Sequence, residues 1–338
     1  MINLIKERCV WIDYAKFFSI YLVVIFHTHP YLLLDGFIGN FFILLRMPAF
    51  FLIAGFLFRL DKFDSFFSFL KHRSKQLLIP YISFFVIFYL LWLAVGRNML
   101  GDDELLINVW HPIKELYLGI PSIICAPYWF VICLFTMQVL YYFINKYISK
   151  KYIFPFTILL YIICTHIDIT NIWQLSMSIK YMPFYAFANN YKSFINNVNF
   201  KDNKKLIITT GLVVIGTLLV SKENIFMSNN MVMYLLLSVL IMPLYISFCK
   251  WISICGGKNK YIEIFAKNGI IILALQNYVI GILKFLSNHI LGYNIFEISI
   301  LLNTLFALII IIILYYPIIL INKYIPFIIG KKVENNNL

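Results

Sequence analysis

Apolar runs about as long as a membrane-spanning helix recur along this chain, as in 11–31, 76–96 and 299–322. Each approaches the roughly 20 residues that a helix needs to cross a hydrocarbon core. A soluble core could not hide them: 62% of the 338 residues are hydrophobic and 13% are charged, whereas soluble domains are roughly half apolar and a quarter charged. Lipid is the expected solvent for most of the chain.

The expected fold is all-α, a polytopic integral membrane protein of about ten transmembrane helices. They fall near 10–31, 38–58, 76–96, 126–145, 152–168, 172–190, 206–221, 230–249, 268–288 and 299–322. No repeat or low-complexity block divides the chain, so one membrane-embedded domain is expected over 1–338, with a loose tail at about 331–338. Lys6 and Arg8 precede an apolar run that holds Asp13 and Lys16 and lacks a small-residue cleavage site. The first helix is therefore read as retained and not as a signal peptide.

A formal charge of +13 would suggest nucleic acid in a soluble protein, but here the basic residues gather in short segments between apolar runs. If the N-terminus is cytoplasmic, 21 of the 28 Lys and Arg residues fall on that side, and only Arg97, Lys114, Lys222 and Lys284 on or near the other. The positive-inside rule then places both termini in the cytoplasm; the basic residues read as topology signals, and no nucleic-acid partner is expected. The six cysteines, Cys9, Cys125, Cys133, Cys164, Cys249 and Cys255, show no metal-ligand spacing and read as small apolar residues. No metal is expected.

Lys16, Arg46 and Lys180 remain inside predicted helices, where an ionisable group costs several kcal/mol unless paired or hydrated. The first helix also carries Asp13, His27 and His29. Lys16 and His27 are eleven residues apart, within about 20° of three whole turns and a rise of roughly 16 Å, so they share one face. Asp13, three residues before Lys16, is placed to pair with it. His29 falls on another face, at the outer interface. Neutral imidazole accepts protons near neutral pH, which suits His27 to general-base chemistry. The alternative has Asp13 and Lys16 snorkelling to cytoplasmic water and His27 hydrogen-bonded within the bundle. Arg46, in the outer part of an antiparallel second helix beside Pro48, is placed to reach the depth of His27. It reads either as an oxyanion stabiliser or as an interfacial arginine. The connection 97–125, with Asp102, Asp103, Glu104, His111 and Glu115, reads either as a cover over an outward-facing cavity or as a solvated loop.

RCVWIDYAKFFSIYLVVIFH followed by RMPAFFLIAGFLF resembles the acyltransferase family 3 group of bacterial membrane O-acyltransferases. Lys16 and His27 match the family's basic residue separated by ten intervening residues from a histidine, and Arg8 and Asp13 its flanks. Met47, Pro48, Phe50, Phe51, Gly55 and Phe56 match the second helix. Arg73, Lys75, Leu78, Pro80 and Tyr81 match the basic approach to a third, and Trp129 and Phe130 the Trp-Phe signature. Weaker similarity continues through KYMPFYAF and FAKNGIIILALQ. Two departures are Gln276, where relatives often carry histidine, and Lys16 for the commoner arginine, which keeps the charge but loses the bidentate fork.

The resemblance implies an enzyme of the bacterial cytoplasmic (inner) membrane that moves an acyl group, most often acetyl, from cytoplasmic acyl-CoA to a hydroxyl of a surface glycan or its lipid-linked precursor. Acetyl-CoA is then a co-substrate, and no cofactor is bound. Implied roles are His27 as base or transient acyl carrier and Arg46 as anion stabiliser. Lys16, Asp13, Arg73 and Lys75 would act in donor binding, and Trp129 and Tyr81 would line the cavity. A transporter or flippase using Asp13, Lys16, His27 and Lys180 as a relay, or a glycan polymerase, is the competing reading. Neither inverted repeats nor a large arginine-rich outer loop supports it. Subunit number has no signal in the sequence.

Overall fold

The computed structural model describes residues 9–28, 36–95, 108–122, 124–167, 169–220 and 231–332. Lys6, Arg8, His29, Arg97, Asp102, Asp103, Glu104, Lys222 and the tail from 333 lie outside them. Among the described residues every regular element is helical. In chain order the α-helices are α1 Val10–Thr28, α2 Gly36–Leu57, α3 Phe66–Arg73, α4 Ile79–Ala94, α5 Trp110–Leu118, α6 Trp129–Tyr147, α7 Lys150–His166 and α8 Leu175–Asn190. They continue as α9 Lys192–Asn197, α10 Lys204–Val220, α11 Met231–Gly256, α12 Lys260–Lys267, α13 Gly269–Leu291, α14 Ile300–Ile313 and α15 Tyr315–Tyr324.

Among the described residues each of the ten expected spans is therefore helical, and seven stretches are long and apolar enough to cross a membrane: Val10–Thr28, Phe37–Leu57, Phe66–Ala94, Ala126–Tyr147, Met231–Gly256, Gly269–Leu291 and Ile300–Tyr324. The helices α7, α8 and α10 have 17, 16 and 17 residues. At 1.5 Å per residue they measure only about 24–26 Å against a core of about 30 Å.

Two expectations change in detail. The basic segment before the third span is helix, not loop: Ser65 caps α3 by accepting from the Ser68 amide at 3.2 Å, and one π-turn, Ser74–Leu78, joins α3 to α4. Pro80 has no N–H to give to the carbonyl of Gln76, and a local change of winding at that point accommodates it. The final run is two helices, because Pro317 removes the amide that would bond Ile313 and the chain turns at Leu314.

By internal contacts the chain divides into two compact units. The first comprises Met1–Leu57, Phe187–Ile272 and Gln276–Ile313, and the second Phe58–Ala186, Leu273–Leu275 and Leu314–Leu338.

In the first unit α1 is the central element and packs on α2, α11, α12 and α14. Between lipid-solvated helices apolar burial drives little association, so close packing and interhelical hydrogen bonds decide the arrangement. Three tyrosines supply such bonds. Tyr245 of α11 donates to the Ala15 carbonyl at 2.6 Å, and its oxygen lies 2.8 Å from the Ser19 hydroxyl. Tyr21 donates to the Thr304 carbonyl of α14 at 2.8 Å, and Tyr14 to the Gly257 carbonyl at 3.2 Å. Lys250 adds a knot: its ammonium donates to the carbonyls of Ile195, Asn196 and Val198 at 2.6, 2.8 and 2.7 Å and lies 5.3 Å from the Trp11 ring centre.

In the second unit an aromatic core joins α3, α6 and α8. Phe58 meets Tyr141 and Tyr185 edge-on at 5.4 and 5.7 Å, and Phe69 lies 4.8 Å from Tyr142. The Pro326–Ile329 turn packs on α4. Gly330, at φ 70°, lets the backbone close against the Lys75 carbonyl, where a Cβ would collide.

Candidate active site

Four of the eight sequence-derived site residues, Asp13, Lys16, His27 and Arg46, fall in the first unit. Helical spacing places Asp13 and Lys16 one turn apart near the start of α1 and His27 in its last turn. Lys16, His27 and Arg46 are half-buried and Asp13 is buried.

The structure brings Arg46 to His27. The guanidinium carbon sits 3.5 Å from the centre of the Phe26 ring, a cation over an aromatic face. The Phe26 and His27 rings meet edge-on at 5.4 Å and 79°, and Arg46 is near enough to His27 to act on it electrostatically. Pro48 lies inside α2 two residues beyond Arg46, so the Leu44 carbonyl lacks its usual helical donor there. An imidazole and a guanidinium thus share one end of α1. The first can hold or release a proton, and the second can neutralise an anion without changing its own charge.

At the other end Asp13 and Tyr14 line a pocket of about 310 Å³ with Val10, Lys258, Asn259, Ile262 and Glu263. Gln276 in α13 is completely buried, and neither amide atom has a partner among the described residues.

Arg73, Lys75, Tyr81 and Trp129 fall in the second unit. Arg73 is caged: its guanidinium lies 5.9, 5.7 and 5.7 Å from the rings of Phe58, Phe63 and Phe69 and donates to the Gln76 amide oxygen at 2.9 Å. Lys75 is exposed. Tyr81 is buried beside Tyr128, ring centres 6.1 Å apart, and its hydroxyl reaches the Leu116 carbonyl at a long 3.5 Å. Trp129 is half-buried and lies 6.5 Å from Tyr181. Cys125, just before the single turn Ala126–Tyr128, is buried, and burial pushes its thiol pKa well above the ordinary value. It stays protonated and is a poor nucleophile.

Other features were not legible in advance. In α5, His111 Nε2 lies 3.3 Å from Glu115, which is itself buried. Trp173 and Gln174 adopt left-handed backbone at φ 53° and 54°, held by Thr136 donating to the Trp173 carbonyl at 2.7 Å and Gln174 donating to the Gly119 carbonyl at 2.9 Å. Left-handed non-glycine residues persist only where their surroundings over-determine them, and the segment NIWQ has no local signal for it.

The family model described as Acyltransferase domain matches residues 10–322. No curated protein and no solved structure matches the chain. The matched stretch begins at the start of α1 and runs through nearly the whole chain, taking in the membrane-length helices with His27 and Arg46. This protein therefore belongs to acyltransferase family 3 and is a multi-pass membrane acyltransferase.

Proposed function

We propose that the protein is an O-acyltransferase of the bacterial cytoplasmic membrane, using cytoplasmic acyl-CoA, most often acetyl-CoA, to acylate a hydroxyl of a surface glycan or its lipid-linked precursor. The supporting observation is Arg46 stacked on Phe26 at 3.5 Å, beside His27 in the last turn of α1. In this reading the ten helical segments all span, α7, α8 and α10 across locally thinned or tilted lipid, and both termini are cytoplasmic.

The acceptor hydroxyl oxygen attacks the thioester carbonyl carbon while His27 takes the hydroxyl proton. Arg46 faces the negative charge that develops on the carbonyl oxygen. The carbon–sulfur bond then breaks, the CoA sulfur leaves with the electron pair, and the His27 proton passes to it. If acceptor and donor do not meet, His27 carries the acyl group between them. Lys16 and Asp13 position the donor below. For the second unit, the family resemblance assigns Arg73 and Lys75 to donor binding and Tyr81 and Trp129 to a cavity wall.

The test is transfer of labelled acetyl from acetyl-CoA to the host's surface glycan in membranes holding equal amounts of wild type and His27→Ala. A base or carrier role predicts at least a hundredfold loss. Equal incorporation by both would remove His27 from the chemistry. No incorporation by wild type would refute this donor and acceptor.

A further inference from the structure

Two side chains of the first unit carry polar atoms that have no partner among the described residues, and helical register sets them face to face. Gln276 of α13 is fully buried, and neither its Oε1 nor its Nε2 is hydrogen-bonded. A buried amide left in that state costs stability and calls for a partner from outside the chain. Neither ring nitrogen of His27 has a hydrogen bond among the described residues.

Two contacts fix the register. The Phe17 and Phe265 rings lie 6.0 Å apart, and a Cβ on Gly269 would strike Cδ1 of Ile20. Phe17 to Ile20 and Phe265 to Gly269 therefore climb in the same direction, and α1 and α13, as first and ninth spans, continue in it. His27 stands seven residues beyond Ile20, and Gln276 seven beyond Gly269. Seven helical residues make two turns to within about 20° and a rise of about 10.5 Å. His27 thus projects from the face of α1 that Gly269 touches, Gln276 from the face of α13 that touches Ile20, and the two stand at one height. The helices packed along α1 are α2, α11, α12 and α14, whereas α13 meets it at Gly269. Gln276 and His27 therefore face each other without bonding, and a reacting group is what can bridge them. Arg46 reaches the same end of α1 from α2, over Phe26.

We infer that Gln276 is a further catalytic residue, its Nε2–H donating to the acyl carbonyl oxygen from α13 as the Arg46 guanidinium does from α2. When the acceptor oxygen bonds to the carbonyl carbon, the carbonyl electron pair moves onto its oxygen, and the amide hydrogen bond strengthens while the proton stays on nitrogen. The pair returns as the carbon–sulfur bond breaks and the sulfur leaves with its electrons. This deepens the His27 reading above and rests on it.

The experiment measures labelled-acetyl transfer and thermal midpoint for wild type, Gln276→Met, Gln276→His and His27→Ala in membranes of equal protein content. Methionine keeps the length of the side chain and needs no partner, so its midpoint is expected at or above wild type. Its kcat is expected to fall about 100- to 1000-fold, the loss of one oxyanion donor, with KM for acetyl-CoA within about threefold, because the bond is made in the transition state. Gln276→His keeps an N–H donor and is expected to retain at least about a tenth of wild-type kcat. If Gln276→Met is not folded, Gln276→Leu replaces it. Wild-type kcat in Gln276→Met, where His27→Ala has lost transfer, would overturn the role of Gln276 and leave the His27 reading intact. A fall in transfer matched by a fall in midpoint in both Met and Leu variants would make Gln276 structural and overturn it as well. Undiminished transfer by His27→Ala would overturn the reading beneath it.

Discussion

Replacing Lys250 with Met should loosen one corner of the first unit by an amount that can be worked from its contacts. The ammonium gives three hydrogen bonds, at 2.6, 2.8 and 2.7 Å, to carbonyls of Ile195, Asn196 and Val198. These lie at the C-terminal end of α9, where unsatisfied carbonyls carry partial negative charge. A hydrogen bond from a charged donor contributes about 1.5–3 kcal/mol. The three share one charge, and Lys250 is only half-buried, so water recovers part of what is lost and the sum must be discounted. Methionine keeps an unbranched stem and removes the charge, giving a net cost of about 2–4 kcal/mol. Arginine should restore less than half, because its planar fork cannot point donors at three carbonyls gathered around a single nitrogen.

The assay is limited trypsin digestion of the solubilised protein at Lys201, Lys204 and Lys205, just beyond α9, with the thermal midpoint measured alongside. When local reclosing outpaces cleavage, the rate follows the open population, so about 2–4 kcal/mol predicts roughly 30- to 1000-fold faster cutting in Lys250→Met. Cleavage within threefold of wild type, at an unchanged midpoint, would refute the claim that Lys250 holds α9 in place.

Tyr245→Phe removes the buried hydroxyl that joins Ala15 and Ser19, leaving Ser19 without that partner; a loss of about 1–3 kcal/mol is expected in denaturant titration. Gly330→Ala sets a Cβ against the Lys75 carbonyl at a positive φ, and a drop of at least about 1–2 kcal/mol is expected, read as a lower thermal midpoint. Arg46→Lys keeps charge but loses the flat stack on Phe26, so labelled-acetyl transfer should fall about tenfold, and Arg46→Met about 100- to 1000-fold. Transfer at the wild-type rate in Arg46→Met would show that the guanidinium plays no part.

Much of this protein is written locally. A run of twenty apolar residues in lipid has helix as its available form, because backbone polar groups must be satisfied within the segment. Among the described residues all ten expected spans are helical for that reason. The shared face of Lys16 and His27 follows from helical rise and twist alone, and the ordered motifs of the first two helices, with the Trp-Phe segment, carry the family.

Local pattern did not determine which polar group finds which partner. Lys250 reads in the sequence as a cytoplasmic topology charge, yet the fold uses it to close a helix end more than 50 residues away. Arg73 reads as a donor-binding cation, and the fold places it among three phenylalanine rings. The bond from Tyr245 to Ala15 crosses 230 residues, and the pocket below Lys16 needs a turn whose Gly257 lies 243 residues after Tyr14. Helix formation is decided within a few residues of chain. A hydrogen bond or ring contact worth about 1–3 kcal/mol exists only once distant helices have packed, so only the tertiary structure assigns Lys250 to α9, Arg73 to its cage and Arg46 to Phe26.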